Sequence, residues 1–167
     1  MTQTAPDFDL DTAASRGSAF VYGNILVLAA LIALTPEQVA DPTAVAIVLG
    51  TGLSTFVAHL VGEVVGDQIR EGKEPSRARL RRHVRNSAPI ASSASIPAVL
   101  LAAGWLGWLP AVWALAAAQT VTIGRVGFLG AVIGHYHGER SVRAIVSGVV
   151  LALLCAVAAA LKWLLTH

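Results

Sequence analysis

Apolar residues gather into five runs along the chain, at about 17–34, 43–66, 88–109, 111–134 and 144–165, separated by short polar or turn-forming stretches. Each run approaches or exceeds the length needed to cross a bilayer, since about 20 residues rising 1.5 Å each span a hydrocarbon core of about 30 Å. The pattern predicts an all-α membrane protein with five transmembrane helices, preceded by a polar tail over 1–16 and interrupted by a basic loop over 67–87. The linker TPEQVADPT carries two prolines and two acids, which end one helix and turn the chain toward the next.

Charge then orients the spans. Seven of the twelve Lys and Arg residues lie between 70 and 85, namely Arg70, Lys73, Arg77, Arg79, Arg81, Arg82 and Arg85. Short loops rich in cations stay on the cytoplasmic side. Strict alternation then places Arg16, Arg140 and Arg143 inside and the uncharged turn GWLGWLP outside. Trp105, Trp108 and Trp113 fit an aromatic belt at that outer surface, and Lys162 near the last outer end can snorkel beside Trp163. The predicted topology has the N-terminus in the cytoplasm, the C-terminus outside, and the protein in the inner (plasma) membrane.

Composition agrees with this picture. The chain is 55% hydrophobic and only 13% charged, with a mean hydropathy of +0.66. A soluble domain carries about 25% charged residues. The single cysteine, Cys155, excludes disulfides within the chain and thiolate metal sites. The first 15 residues are polar and acidic, unlike a secretory leader. The segment PSRARLRRHVR puts Leu80 and Val84 on one helical face and Arg77, Arg81 and Arg85 on another. A basic amphipathic helix beside membrane spans is expected to meet lipid headgroups on the inner leaflet, and no nucleic-acid partner is expected.

The second run is the one with chemistry in it. His59, Glu63 and Asp67 follow at spacings of four, and Thr55 extends the row by a turn, so the helix has one polar face. Ionisable groups at that depth cost at least about 2.5 kcal/mol each unless they face protein, water or a partner. The predicted topology brings Arg125 of the fourth run to a matching depth in the inner half. Tyr22, Asn24, Ser92, Ser93 and Ser95 fall at the same level, and His135, His137 and Glu139 at the cytoplasmic mouth. A polar vestibule nearest the cytoplasm is therefore expected, with His59, Glu63, Arg125, Asp67 and Asn24 as its ion-binding candidates. Glu63 and Arg125 are either a structural ion pair or part of a transport path. As metal ligands, His59, Glu63, His135 and His137 offer imidazole and carboxylate without thiolate, suited to Zn, Fe(II), Mn or Co as a transported ion. As proton carriers, His59 and Glu63 form a two-step relay. Ala58, Gly62 and Gly66, at spacings of four, make a row on which another helix or a second subunit can pack closely. No nucleophile elbow, phosphate-binding glycine loop or paired CxxC is present, so no enzyme is expected.

Several local features are similar to the vacuolar iron transporter family. They are Tyr22-Gly23 in the first run, Ser54, Gly62-Glu63-Val64, Gln68 and Arg70-Glu71 in the second, and FLGAVIGHYHGERSVRAIVSGVVLAL across the last two. The resemblance implies a five-span fold with a cytoplasmic N-terminus, a dimeric pore, and Glu63 as an ion ligand. In that family an aspartate occupies the first span where this chain offers Asn24, a methionine occupies the second where this chain has none, and a glutamate-rich loop stands where this one is arginine-rich. An arginine loop does not concentrate ferrous ions. The sequence thus supports two functions: a homodimeric transporter of a small cation, whether divalent metal or proton, and a non-transporting accessory or scaffold subunit of a larger membrane complex.

Overall fold

The computed structural model describes residues 10–72 and 74–136, together with helical positions 146, 149, 150, 153, 154, 157 and 161. Six helices follow in order: α1 (Leu10–Ile32), α2 (Pro36–Val39), α3 (Thr43–Glu71), α4 (Arg77–Ser93), α5 (Ser95–Trp105) and α6 (Ala111–Tyr136). No strand occurs among the described residues. Four helical stretches are long and apolar enough to cross a membrane: Thr12–Ile32, Thr43–Glu71, Arg77–Trp105 and Ala111–Phe128. Less than half of the apolar window of each is buried inside the bundle. The row Leu49, Leu53, Val57, Val61, Val65 and Ile69 shows why, running exposed along α3 from end to end. In water such a surface would aggregate; in lipid it is the solvated face. The expected fifth span over 144–165 is described only at its seven positions and otherwise lies outside the described residues.

The helices run up and down. One end of the bundle collects the start of α1, the end of α3 and the start of α4, and is called the basic end below. α3 packs on α1 and on the α4–α5 pair, α6 packs on α1 and α5, and α1 and α4 meet along the basic half. α3 and α6 therefore occupy opposite corners. A core of Val27, Leu31, Leu34, Val39, Ala44, Val48, Leu101 and Ala118 fills the far half, closed by the short α2. There Gln38 Oε1 accepts the Thr35 N–H at 2.9 Å, and Asp41 Oδ1 accepts the Thr43 N–H at 2.7 Å where α3 begins. Thr43, through its hydroxyl first and its N–H second, holds the Asp41 carboxyl below the ordinary aspartate range.

Three boundaries differ from those expected. α1 starts at Leu10, so the polar tail is shorter than 1–16. α3 continues past Gly66 to Glu71 and ends on Gly72, whose φ of 65° lets its N–H close on Gln68 O at 2.8 Å. The supposed loop 67–87 is thus mostly helix, with α3 reaching Glu71 and α4 beginning at Arg77. Arg77–Arg85 does not form a separate surface helix either. Ser76 caps α4 by accepting the Arg79 N–H, and α4 then runs unbroken through Pro89 into the span.

The span α4–α5 breaks at Ala94, and the cause is readable. Pro97 has no N–H, so the carbonyl of Ser93 four residues earlier loses its helical donor. Ser93 Oγ and Ser95 Oγ bond back onto Ile90 O and Ser92 O at 2.6 and 2.7 Å, which bends such a helix further.

A candidate functional site between two helices

The polar row of α3 faces the first turns of α4 at the basic end. Glu63 and Asp67 project from consecutive turns of α3, and His83 enters between them from α4. Its Nε2 lies 2.7 Å from Asp67 Oδ2 and its Nδ1 lies 3.4 Å from Glu63 Oε2. His59 completes the series, with Nε2 at 3.9 Å from the other Glu63 oxygen. The result is an alternating chain of imidazole and carboxylate, His59, Glu63, His83 and Asp67. An imidazole with a carboxylate at each nitrogen donates to both when protonated and to one when neutral, so a proton added to this chain has a defined seat.

Guanidinium groups close the series at the basic end. Arg70 Nη2 donates to Asp67 Oδ1 at 2.9 Å, Arg79 Nη1 stands 3.7 Å from Asp67 Oδ2, and Arg79 also pairs with Glu71. The Asp67 side chain is only 8% exposed despite its place at the helix end. Beside the chain opens a cavity of about 250 Å³, lined by His59, Glu63 and Asp67 of α3, by Arg79, Arg82, His83, Asn86 and Ser87 of α4, and by Ser15 of α1. The His59 and Glu63 side chains beside it are themselves partly exposed, by 30% and 39%. Tyr22 of α1 lies over His59, ring centroids 6.3 Å apart, and Thr55 is buried one turn deeper on α3.

Asp67 ties the α3–α4 connection more firmly than the exposed pairs around it. Asp67→Asn keeps the shape but removes the charge that Arg70, Arg79 and His83 converge on, and is expected to lower Tm by several degrees, more at low salt than at high. Glu71→Gln, at an exposed pair, is expected to leave Tm within scatter. Thermal unfolding in detergent at two ionic strengths checks both.

The other candidates go elsewhere. Arg125 does not meet Glu63, because α6 and α3 stand at opposite corners. Its Nη1 donates to the orphan carbonyl of Ser93 at 3.0 Å, and its guanidinium lies over the Phe20 ring, 5.1 Å from the centroid. Among the described residues it has no carboxylate partner. Asn24 is fully buried on α1, where Nδ2 donates to Phe20 O at 2.7 Å and Oδ1 is unpartnered. It does not line the cavity. His135 falls at the end of α6, where only the backbone is described, and His137 lies outside the described residues. Among the described residues no three His, Cys, Asp or Glu side chains are grouped as metal ligands. Among the described residues no helix packs on the row Ala58, Gly62, Gly66: Ala58 is exposed, a Cβ on Gly62 would meet nothing within 4 Å, and one on Gly66 only Arg70.

His83 is the residue the sequence reading missed. Its signal was the spacing Arg79, His83, Asn86/Ser87, Ile90, which marks one inward face on the basic helix, opposite Arg77, Arg81 and Arg85. No protein-family model, curated protein or solved structure matches the chain.

Proposed function

We propose that this is a multi-pass membrane protein of the inner membrane that takes up protons from the cytoplasm and passes them along the imidazole–carboxylate chain between α3 and α4. One observation carries the reading: His83 lies between Glu63 and Asp67, its Nε2 hydrogen-bonded to Asp67 and its Nδ1 3.4 Å from Glu63, with His59 on the far side of Glu63 and an open cavity alongside. The cytoplasmic placement rests on the cation-rich connection at that end. A proton suits the site better than the ferrous ion of the family it resembles. Arg70, Arg79 and Arg82 already surround the carboxylates with fixed positive charge, which opposes a divalent ion at close range. A proton adds only one charge and can be taken up at the hydrogen-bonded His83–Asp67 pair, with Glu63 3.4 Å from the other ring nitrogen. The unpacked Ala58–Gly62 face of α3 is where a second subunit would sit.

A second reading has its own support. Asp67, nearly buried and bonded from both helices, makes the inner half of the cluster a lock on the α3–α4 connection, as a scaffold or accessory subunit would need. Proteoliposomes containing a pH-sensitive dye separate the two. In the proton reading the wild type dissipates an imposed pH gradient, and Glu63→Gln or His83→Phe abolishes the flux while the protein stays folded. A wild type without flux, with Glu63→Gln only lowering Tm, overturns it in favour of the scaffold.

A further inference from the structure

Two of the basic residues at this end are used inside the protein, and another row is not. Arg70 and Arg79 pair with Asp67 and Glu71, whereas Arg77, Arg81 and Arg85 are exposed and, among the described residues, have no acidic partner. They follow at spacings of four on α4, so the row extends about 12 Å along the helix axis. The same face continues into the span through exposed Ala88, Ile96 and Val99. Between these, Ser92 and Ser95 are exposed, but their hydroxyls are already bonded to Pro89 O and Ser92 O. The surface is therefore cationic for two turns and then apolar, with small residues directly below the last arginine.

Unpaired guanidinium groups ask for phosphate, which they bind in bidentate fashion. A soluble phosphate would occupy only the upper part of this strip. A ligand carrying a phosphate at one end and an acyl chain at the other fills all of it. We propose that this face of α4 is a seat for an anionic phospholipid, its phosphate on Arg77, Arg81 and Arg85 and one acyl chain along Ala88, Ile96 and Val99. The continuity of the charged row with the apolar surface of a spanning helix is the observation that selects a lipid over a free anion.

The test uses the full chain in nanodiscs of neutral phosphatidylcholine containing a minor share of spin-labelled phosphatidylglycerol or, separately, spin-labelled phosphatidylcholine. The wild type is expected to immobilise the anionic label at least about tenfold more strongly than the neutral one, as three cations near the membrane surface allow. Changing Arg77, Arg81 and Arg85 together to Gln is expected to abolish that preference, while changing them to Lys keeps most of it. Circular dichroism confirms that each variant remains helical. Millimolar inorganic phosphate is expected to leave the immobilised fraction unchanged. Loss of the label to inorganic phosphate reassigns the arginines to a soluble anion, and a preference that survives in the folded Gln variant overturns the seat.

Discussion

Gly23→Val is expected to unseat α1 from α4 and to cost about 3 kcal/mol or more, because the added atoms have nowhere to go. A Cβ at this position falls 2.8 Å from Ile90 Cα, 2.9 Å from Ser93 Oγ and 3.2 Å from Ile90 O. Two of these are backbone atoms and cannot rotate away. Small residues at helix crossings are how membrane bundles bring backbones together, since lipid supplies no hydrophobic pressure to do it. Even Gly23→Ala meets the clash, so its sign is also unfavourable. Gly50, on the exposed side of α3, is the contrast: a Cβ there meets nothing within 4 Å, and Gly50→Ala is expected to be neutral or slightly stabilising. Reversible unfolding in mixed micelles, followed by circular dichroism, compares the variants. The candidate site feels the same change, because Gly23 adjoins Tyr22, which stands over His59. A Gly23→Val protein that unfolds like wild type would mean that α1 and α4 do not cross this closely.

The architecture was legible where lipid dictates it. Apolar runs have to become helices because backbone groups find no other partner in hydrocarbon, and the four described spans stand where those runs are. What was not legible depends on pairing across helices. Asp67, Arg70 and Glu71 read as loop because they are polar, yet α3 keeps going through them, since Arg79 and His83 arrive from α4 to satisfy the carboxylates. For the same reason the basic segment is not laid flat on a membrane surface but rises with its inward face turned to α3. Opposite charges at matching depth suggested joining Glu63 to Arg125, but depth fixes one coordinate only. The order of helices around the bundle fixes the other, and it separates α3 from α6. The row His59, Glu63, Asp67 needed no such knowledge, because all three sit on one helix with four-residue spacing.

Arg125→Met is the second large effect expected, and its size should depend on Pro97, through the Ser93 carbonyl that Arg125 serves. The guanidinium is held in the bundle by a carbonyl that Pro97 leaves without a helical donor and by the face of Phe20. Removing it strands the Ser93 carbonyl in a buried place, for a cost of about 1–3 kcal/mol, and forfeits the cation–π contact as well. If Pro97 is first changed to Ala, the new N–H can bond Ser93 O directly and the helix closes its own gap. In that background Arg125→Met should cost less, by roughly 0.5–2 kcal/mol, a coupling that a double-mutant cycle measures. Arg125→Lys keeps a donor and a charge and should fall between the two. If the proposed proton path holds, flux through it gives an independent reading of the same residue. Because Arg125 sits on α6, away from the imidazole–carboxylate chain, Arg125→Met that still folds is expected to retain flux, whereas an ion-path residue would lose it. Equal costs of Arg125→Met with and without Pro97 would show that the guanidinium is anchored by something other than the broken turn.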